Sequence, residues 1–323
     1  MRVSVIGVGR MGFLHAKLLR QMPEVTKLVV VDLDYARARA VADQLEARAE
    51  AQPIDAIEST DLVIIATPPD LHADLVRAAV DRGRPVLCEK PLASNLREAV
   101  DLAAYVEAAG VRAVVGFQRR FDPAIAAARG LVADGTLGAI HLIRLDSTEP
   151  IIARSNRTNL LRNTAIHDFD LTRWLSDCEA TSVHVEASDR NRGTFDRGQD
   201  PDSIVVSIRL SDGGLCAITT SRLSPHGYDV RVELLGSLDH VAVGWTERTP
   251  VRSLDQGVQA ALPNRWRSWL ERFETAFHLE LQAFLAPDRG AVGVAATLRD
   301  GVEAQRISEA ARRSMTEART IFL

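Results

Sequence analysis

Two features of the chain carry chemistry by residue type and spacing. The first is Gly7-Val8-Gly9-Arg10-Met11-Gly12 near the start, and the second is Glu89-Lys90-Pro91, directly after the apolar run Val86-Leu87-Cys88. The glycines match G-x-G-x-x-G between a predicted strand and a predicted helix. The first permits a tight turn, the second lets backbone approach a pyrophosphate, and the third lets helix and strand pack closely, while the helix N-terminus adds partial positive charge. Gly7, Gly9, Arg10, Met11 and Gly12 are therefore assigned to a dinucleotide. An ammonium at the carboxyl end of a buried strand, in a chain that opens this way, stands where a reacting substrate would lie. Lys90 is assigned to that region and to the cofactor, the neighbouring Glu89 to the cofactor, and the chemistry implied is hydride transfer.

Asp32 ends the apolar run Val29-Val30-Val31. A carboxylate there accepts from both adenine-ribose hydroxyls and repels the extra phosphate of NADP, so NAD is the expected cofactor. The competing role for Asp32 is a cap on the helix that starts near Asp34, and Arg37 and Arg39 are the residues that would favour a 2′-phosphate. In Ala66-Thr67-Pro68-Pro69-Asp70-Leu71-His72, the prolines stiffen a loop that follows another strand. Thr67, Pro68 and His72 are assigned to the nicotinamide side; for His72 a local hydrogen bond at a helix start is an equal alternative.

The elements that must position these groups follow from periodicity. Residues 3–6, 28–31, 62–66, 86–88 and 111–116 read as strands of a parallel sheet, apolar almost throughout and so buried on both faces. Helical spacing fills 35–50, 71–82 and 95–109, with Ser94 and Asn95 as N-caps and Gly110 as a stop. Beyond Gln118 the grammar changes. A helix over 123–133 and an extended segment over 139–147 precede an irregular stretch over 149–162 and a helix over 164–175. Strands at 182–187, 204–210, 215–221, 230–235 and 240–243 then follow without intervening helices, which reads as a mostly antiparallel open sheet. Helices over 266–285 and 296–317 close the chain, and 189–202 reads as an exposed loop. The expected fold class is α/β: a Rossmann domain over 1–118 and an α+β substrate-binding and oligomerisation domain over 119–323, whose last helices are free to pack back on the first.

Composition excludes several classes. The net charge of -4 and the 5% aromatic content argue against a nucleic-acid partner, which needs a basic footprint and stacking platforms. Cys88, Cys178 and Cys216 lie far apart and form no C-x-x-C, so neither a disulfide frame nor a thiolate metal site is expected, and a reducing cytoplasm fits. The histidines are scattered without i, i+4 pairing, so no catalytic metal is predicted. No leader precedes the first strand and no apolar run approaches the roughly 20 residues of a membrane span. An open sheet in the second domain needs covering, so a homodimer or homotetramer is expected.

In order along the chain, the glycine fingerprint, Thr67-Pro68 with His72, Glu89-Lys90-Pro91 and Ile166-His167-Asp168-Phe169-Asp170 resemble the glucose–fructose oxidoreductase/inositol dehydrogenase/MocA family. Gly116-Phe117-Gln118-Arg119-Arg120-Phe121-Asp122, His226-Gly227-Tyr228-Asp229-Val230-Arg231-Val232-Glu233 and the ending from Asp300 are similar to its inositol 2-dehydrogenase branch. The resemblance spans nearly the whole chain. It implies a two-domain enzyme that uses NAD(P) to oxidise a secondary hydroxyl of a sugar or cyclitol to a ketone. It also implies that Lys90 hydrogen-bonds the reacting hydroxyl, that His167 takes its proton, and that the bond before Pro91 is cis. Tyr228 is a further substrate contact it suggests, against a plain role at the sheet edge. Arg119 and Arg120 follow the last strand of the first domain, where they could meet the substrate or a carboxylate such as Asp122; Arg119 is assigned to the pocket, and His226 is a further candidate for it. Elementary chemistry agrees: hydride leaves carbon readily only as the hydroxyl proton leaves, imidazole has a suitable affinity for that proton, and a nearby ammonium stabilises the developing alkoxide.

The chain departs from the branch at Asn163, where related enzymes have aspartate four residues before the histidine. On a helix, positions i and i+4 share a face, so Asn163 is expected beside His167, able to hydrogen-bond but not to carry charge. Arg157-Thr158-Asn159 replaces a Ser-Gly-Gly run, Ser147-Thr148-Glu149-Pro150 replaces Ser-Arg-Asp-Pro, and the segment 151–156 is also unusual. Three readings follow. One is a dehydrogenase acting on a modified sugar, aminocyclitol or aminoglycoside; the second is a plain inositol dehydrogenase that tolerates asparagine. The third is an NAD-binding regulator or scaffold that has lost turnover. Retention of both Lys90 and His167 favours catalysis.

Overall fold

In the computed structural model, residues 1–150, 159–190, 200–250, 264–286 and 294–323 are described. Along the chain the elements are β1 (Arg2–Ile6), α1 (Arg10–Arg20), β2 (Lys27–Val31), α2 (Tyr35–Leu45), β3 (Arg48–Glu50), α3 (Pro53–Ser59), β4 (Leu62–Ile65), α4 (His72–Val80), β5 (Val86–Glu89), α5 (Leu96–Ala109) and β6 (Ala113–Gly116). They continue with α6 (Pro123–Ala133), β7 (Ile140–Pro150), α7 (Leu160–Asn163), α8 (Ala165–Ser176), β8 (Ala180–Ser188), β9 (Ser203–Leu210), β10 (Leu215–Ser224), β11 (Asp229–Gly236) and β12 (His240–Val243). The last are α9 (Trp269–Leu285), β13 (Ala296–Thr297), α10 (Leu298–Glu317) and β14 (Ile321–Phe322). The chain forms two compact units, Met1–Phe121 with Phe277–Glu303, and Asp122–Ala276 with Ala304–Leu323. No helix of the described residues is long and apolar enough to cross a membrane.

In the first unit the strand order is β13-β6-β5-β4-β1-β2-β3, parallel throughout except for the antiparallel pairing of β13 with β6. Its central strands β4 and β5 are buried residue after residue, as their largely apolar composition requires when helices cover both faces. Asn95 caps α5 by accepting from the Glu98 N–H at 3.0 Å, and Gly110 ends it in the left-handed region at φ 65°. Ser94 is not the cap; its N–H donates to Glu98 Oε2 at 3.1 Å. The helix expected over 35–50 stops at Leu45, because Glu46 turns left-handed (φ 51°) and residues 48–50 leave to pair with β2. The short elements α3 and β13 have no counterpart in the sequence reading.

The second unit is built on the sheet β12-β11-β7-β10-β9-β8-β14, antiparallel apart from the β7–β10 pair. Alternation along β9 and β10 buries Ile204, Val206, Ile208, Cys216 and Ile218 on one face, where they meet Ile125, Phe169, Leu171, Leu175 and Ile307. The opposite face is open. The loop expected over 189–202 needs correction at its end. Asp200 and Asp202 are buried: Arg222 Nη1 reaches Asp200 Oδ2 at 2.7 Å, and the Arg190 N–H donates to Asp202 Oδ2 at 2.8 Å. A buried charge persists only when paired, and here it is. Residues 191–199 of that expectation, and residues 151–158 of the unusual stretch, lie outside the described residues.

Candidate active site

Within the first unit, the predicted cofactor residues gather along the carboxyl edge of the sheet. Gly7 follows β1 at φ 85°, and a Cβ there would stand 2.8 Å from Ala66 O. At Gly12 it would stand 1.7 Å from Gly7 O, so α1 approaches the turn as only glycine allows. Gly9 is the N-cap of α1, makes no side-chain cap, and a Cβ on it would touch nothing within 4 Å. Arg10 and Met11 open that helix.

Asp32, just past β2, accepts from the Val8 N–H at 3.0 Å through Oδ2 and from the Asp34 N–H at 3.0 Å through Oδ1. It does not cap α2; Asp34 does, accepting from the Arg37 N–H at 3.2 Å. Arg37 Nη1 lies 3.1 Å from Asp32 Oδ1. Arg37, one of the two arginines that would favour a 2′-phosphate, is thus drawn to the carboxylate.

His72 opens α4 with its ring between two carbonyls, Nδ1 3.0 Å from Pro91 O and Nε2 2.9 Å from Thr67 O. It ties the Thr67-Pro68 turn to the Lys90-Pro91 turn, where the peptide bond is cis. Burial pushes the His72 imidazole below its ordinary value, outweighing the two carbonyls that favour its cation. Lys90 is half-buried, and its N–H donates to Glu89 Oε2 at 3.3 Å. The Glu89 carboxyl is buried, takes a hydrogen bond from His15 Nε2 at 2.7 Å and lies over Gly116 of β6, where a Cβ would sit 3.2 Å from it. Burial pushes Glu89 up, but His15 and Lys90 pull harder, and the net direction is down. Arg119 is fully buried, and Arg120 pairs with Asp300 at 3.4 Å rather than with Asp122.

In the second unit, His167 sits in the first turn of α8 and is buried. Side chains on both sides of it are hydrogen-bonded to β7. Ser147 Oγ donates to Asp168 Oδ1 at 3.0 Å, and Thr164 Oγ1 donates to Glu149 Oε1 at 3.1 Å, so the end of β7 holds the turn. Asn163 and His167 lie on either side of the boundary between α7 and α8. Asn163 ends α7, Thr164 breaks the helix at φ −103°, and the His167 N–H bonds back to Thr164 O at 3.2 Å. Tyr228 is buried ahead of β11, edge-on to Phe273 with centroids 6.2 Å apart, and its N–H donates to Trp266 O at 2.9 Å. Register places the next residue, Asp229, opposite Thr148. His226, considered as a pocket residue, is exposed beside Arg265. Asp122 caps α6 and pairs with Arg272.

Residues 1–117 match the family model described as "Oxidoreductase family, NAD-binding Rossmann fold", and residues 125–241 match the model of the same family's C-terminal domain. A myo-inositol dehydrogenase of Streptomyces leeuwenhoekii is 33% identical over 98% of each chain. The chain belongs to this family. A myo-inositol dehydrogenase from Corynebacterium glutamicum superposes with TM-score 0.88 at 28% identity, over 100% of this chain and 98% of the other. A myo-inositol dehydrogenase from Lactobacillus casei, solved with NAD(H) and myo-inositol, superposes with TM-score 0.88 at 25% identity, over 100% and 96%.

The protein is thus an oxidoreductase of the glucose–fructose oxidoreductase/inositol dehydrogenase/MocA family with NAD as cofactor. Its own residues fit that group: open space over Gly9, an N-terminus of α1 that no side chain caps, a carboxylate at the end of β2, and a buried Thr67 Oγ1 without a protein partner. Sequence reasoning missed His15 and Glu280, both buried polar groups of the first unit. The signal for His15 was available, since it lies three residues beyond Gly12 in the otherwise apolar face Phe13-Leu14-His15-Ala16. Glu280 left no signal beyond one acid among apolar neighbours.

Proposed function

We propose that the protein oxidises a secondary hydroxyl of a cyclitol or sugar to a ketone, using NAD. The observation that carries this reading is Lys90 following β5 on the same sheet edge as the glycine turn and Asp32. When bound, the nicotinamide supplies the hydride acceptor. Lys90 donates a hydrogen bond to the reacting hydroxyl and steadies the developing alkoxide, His167 accepts the hydroxyl proton, and Asn163, Arg119 and Tyr228 bind the substrate. Thr67, Pro68 and His72 line the nicotinamide side. The proposed functional division is a nucleotide-binding part over 1–118 and a substrate-binding and oligomerisation part over 119–323.

Relatives named as myo-inositol dehydrogenases support an inositol-like substrate. Glu149 without a neighbouring arginine, and amide in place of acid at 163, support a modified sugar, aminocyclitol or aminoglycoside. A panel of cyclitols, hexoses and aminoglycosides with NAD, followed at the NADH absorbance, tests both. Asn163 also favours a second reading, an NAD-binding regulator; tight NAD binding with no turnover on any polyol would establish it over the first. Asp32 should hold the NAD preference, and a tenfold better kcat/KM with NADP would refute that.

A further inference from the structure

Glu280 is the buried ionisable group for which the chemistry above has no use. It lies on the part of α9 that belongs to the first unit, is 3% exposed, and neither carboxyl oxygen has a protein hydrogen-bond partner. One turn earlier Phe277 meets the His15 ring edge-on, with centroids 6.0 Å apart, and residues three apart on a helix share a face. That face is turned to the Glu89–His15 pair. His15 is itself fully buried, and its Nδ1 has no protein partner. The Nε2–H tautomer therefore meets both constraints: it donates to Glu89 and leaves a bare lone pair rather than an unmet N–H.

We propose that Glu280 is a positioning residue for the lysine turn: as a neutral carboxylic acid it backs the Glu89–His15 pair, and its ionisation loosens the hold of Glu89 on the Lys90 backbone. Two neighbouring carboxylates in a dry interior do not both ionise, and the partnered one, Glu89, keeps the charge. Burial and the Glu89 charge push Glu280 well above the ordinary carboxyl range. The groups around the pair are His15 from α1, Lys90 and Cys88 from β5 and its turn, and His72 from α4. The Cys88 thiol is pushed up by burial and stays neutral, and the Glu89 carboxyl has Gly116 directly beneath it. A second charge at Glu280 would force Glu89 to shift or take a proton, and either change weakens its 3.3 Å contact with the Lys90 N–H.

The inference rests on the dehydrogenase reading only in its kinetic arm. Infrared difference spectra of the full-length protein should show a protonated-carboxyl stretch at neutral pH that is lost in Glu280→Gln. In Glu89→Gln, which removes the repelling charge, the same band should titrate away at lower pH. Absence of that band from the wild type, or its persistence in Glu280→Gln, overturns the proposal. So does a titration unmoved by Glu89→Gln. With a substrate in hand, the fall of kcat with rising pH should move up by about one pH unit or more in Glu280→Gln. A profile superimposed on the wild type refutes the link to Lys90. If no polyol is oxidised, the dehydrogenase reading fails by itself, while the infrared bands still decide the state of Glu280. Should Glu280→Gln not fold, the wild-type and Glu89→Gln titrations remain sufficient.

Discussion

Lys90 carries the most specific expectation at the scale of single residues. Lys90→Ala should lower kcat by about 100-fold or more, since it removes a donor aimed at developing charge, with NADH affinity nearly unchanged in a fluorescence titration. Asn163→Asp should raise inositol oxidation if the amide sets specificity, read as kcat/KM for inositol against an aminocyclitol. His72 gives a pH signature. Its folded value lies below the ordinary 6.5, so the unfolded chain binds the extra proton first. The stability it contributes is complete above pH 6.5 and is lost as pH falls toward the folded value. The Tm should therefore drop from pH 7 toward pH 5, and His72→Asn should flatten that slope. Local spacing made the glycine turn, Asp32 and Lys90 legible, because each sits at a strand end whose apolar run announces it. The roles of Asp34 as the cap and of Arg37 as the partner of Asp32 were not legible, because both depend on side-chain choices made after folding.

At the scale of elements, long periodic segments were readable and short ones were not. Strands β1, β2, β4 and β5 declare themselves by unbroken apolarity, and α5 by its Asn95 and Gly110 boundaries. The three residues of β3 and the two of β13 carry no periodicity; they exist because a neighbouring strand offers unpaired backbone groups. The four residues of α7 were equally hidden, inside a stretch that reads as irregular, whereas α8 begins within one residue of the helix expected from Thr164. Two substitutions test element-level claims. Gly12→Ala should displace α1 from the β1 turn, lowering Tm and weakening NAD binding together. Arg222→Ala leaves Asp200 buried without its cation, and Asp200 Oδ1 also accepts from the Leu160 N–H at 2.7 Å, at the start of α7. A loss of about 3–5 kcal/mol in chemical denaturation is expected for breaking a buried pair in this way.

At the scale of the whole molecule, the open face of the second sheet is the feature to test. Strand register lines up Arg209, Leu215, Leu142 and Leu235 in one row and Ser207, Ala217, Arg144 and Glu233 in the next. Val205 is 55% exposed and Leu215 is 44% exposed on this face. Light scattering at micromolar concentration should give a dimer or tetramer, and Val205→Glu with Leu215→Glu should shift it to a smaller species; a wild-type monomer would refute the expectation. The order of the chain through its two units has a consequence for anyone dissecting the protein. Glu280 and the strand that borders β6 return to the nucleotide-binding unit more than 150 residues after its main segment ends. A fragment stopped at Phe121 would expose one edge of its sheet and strip the cover from His15. To isolate that unit, Phe277–Glu303 must be grafted back by a linker, and in an exchange with a relative the two pieces must travel together.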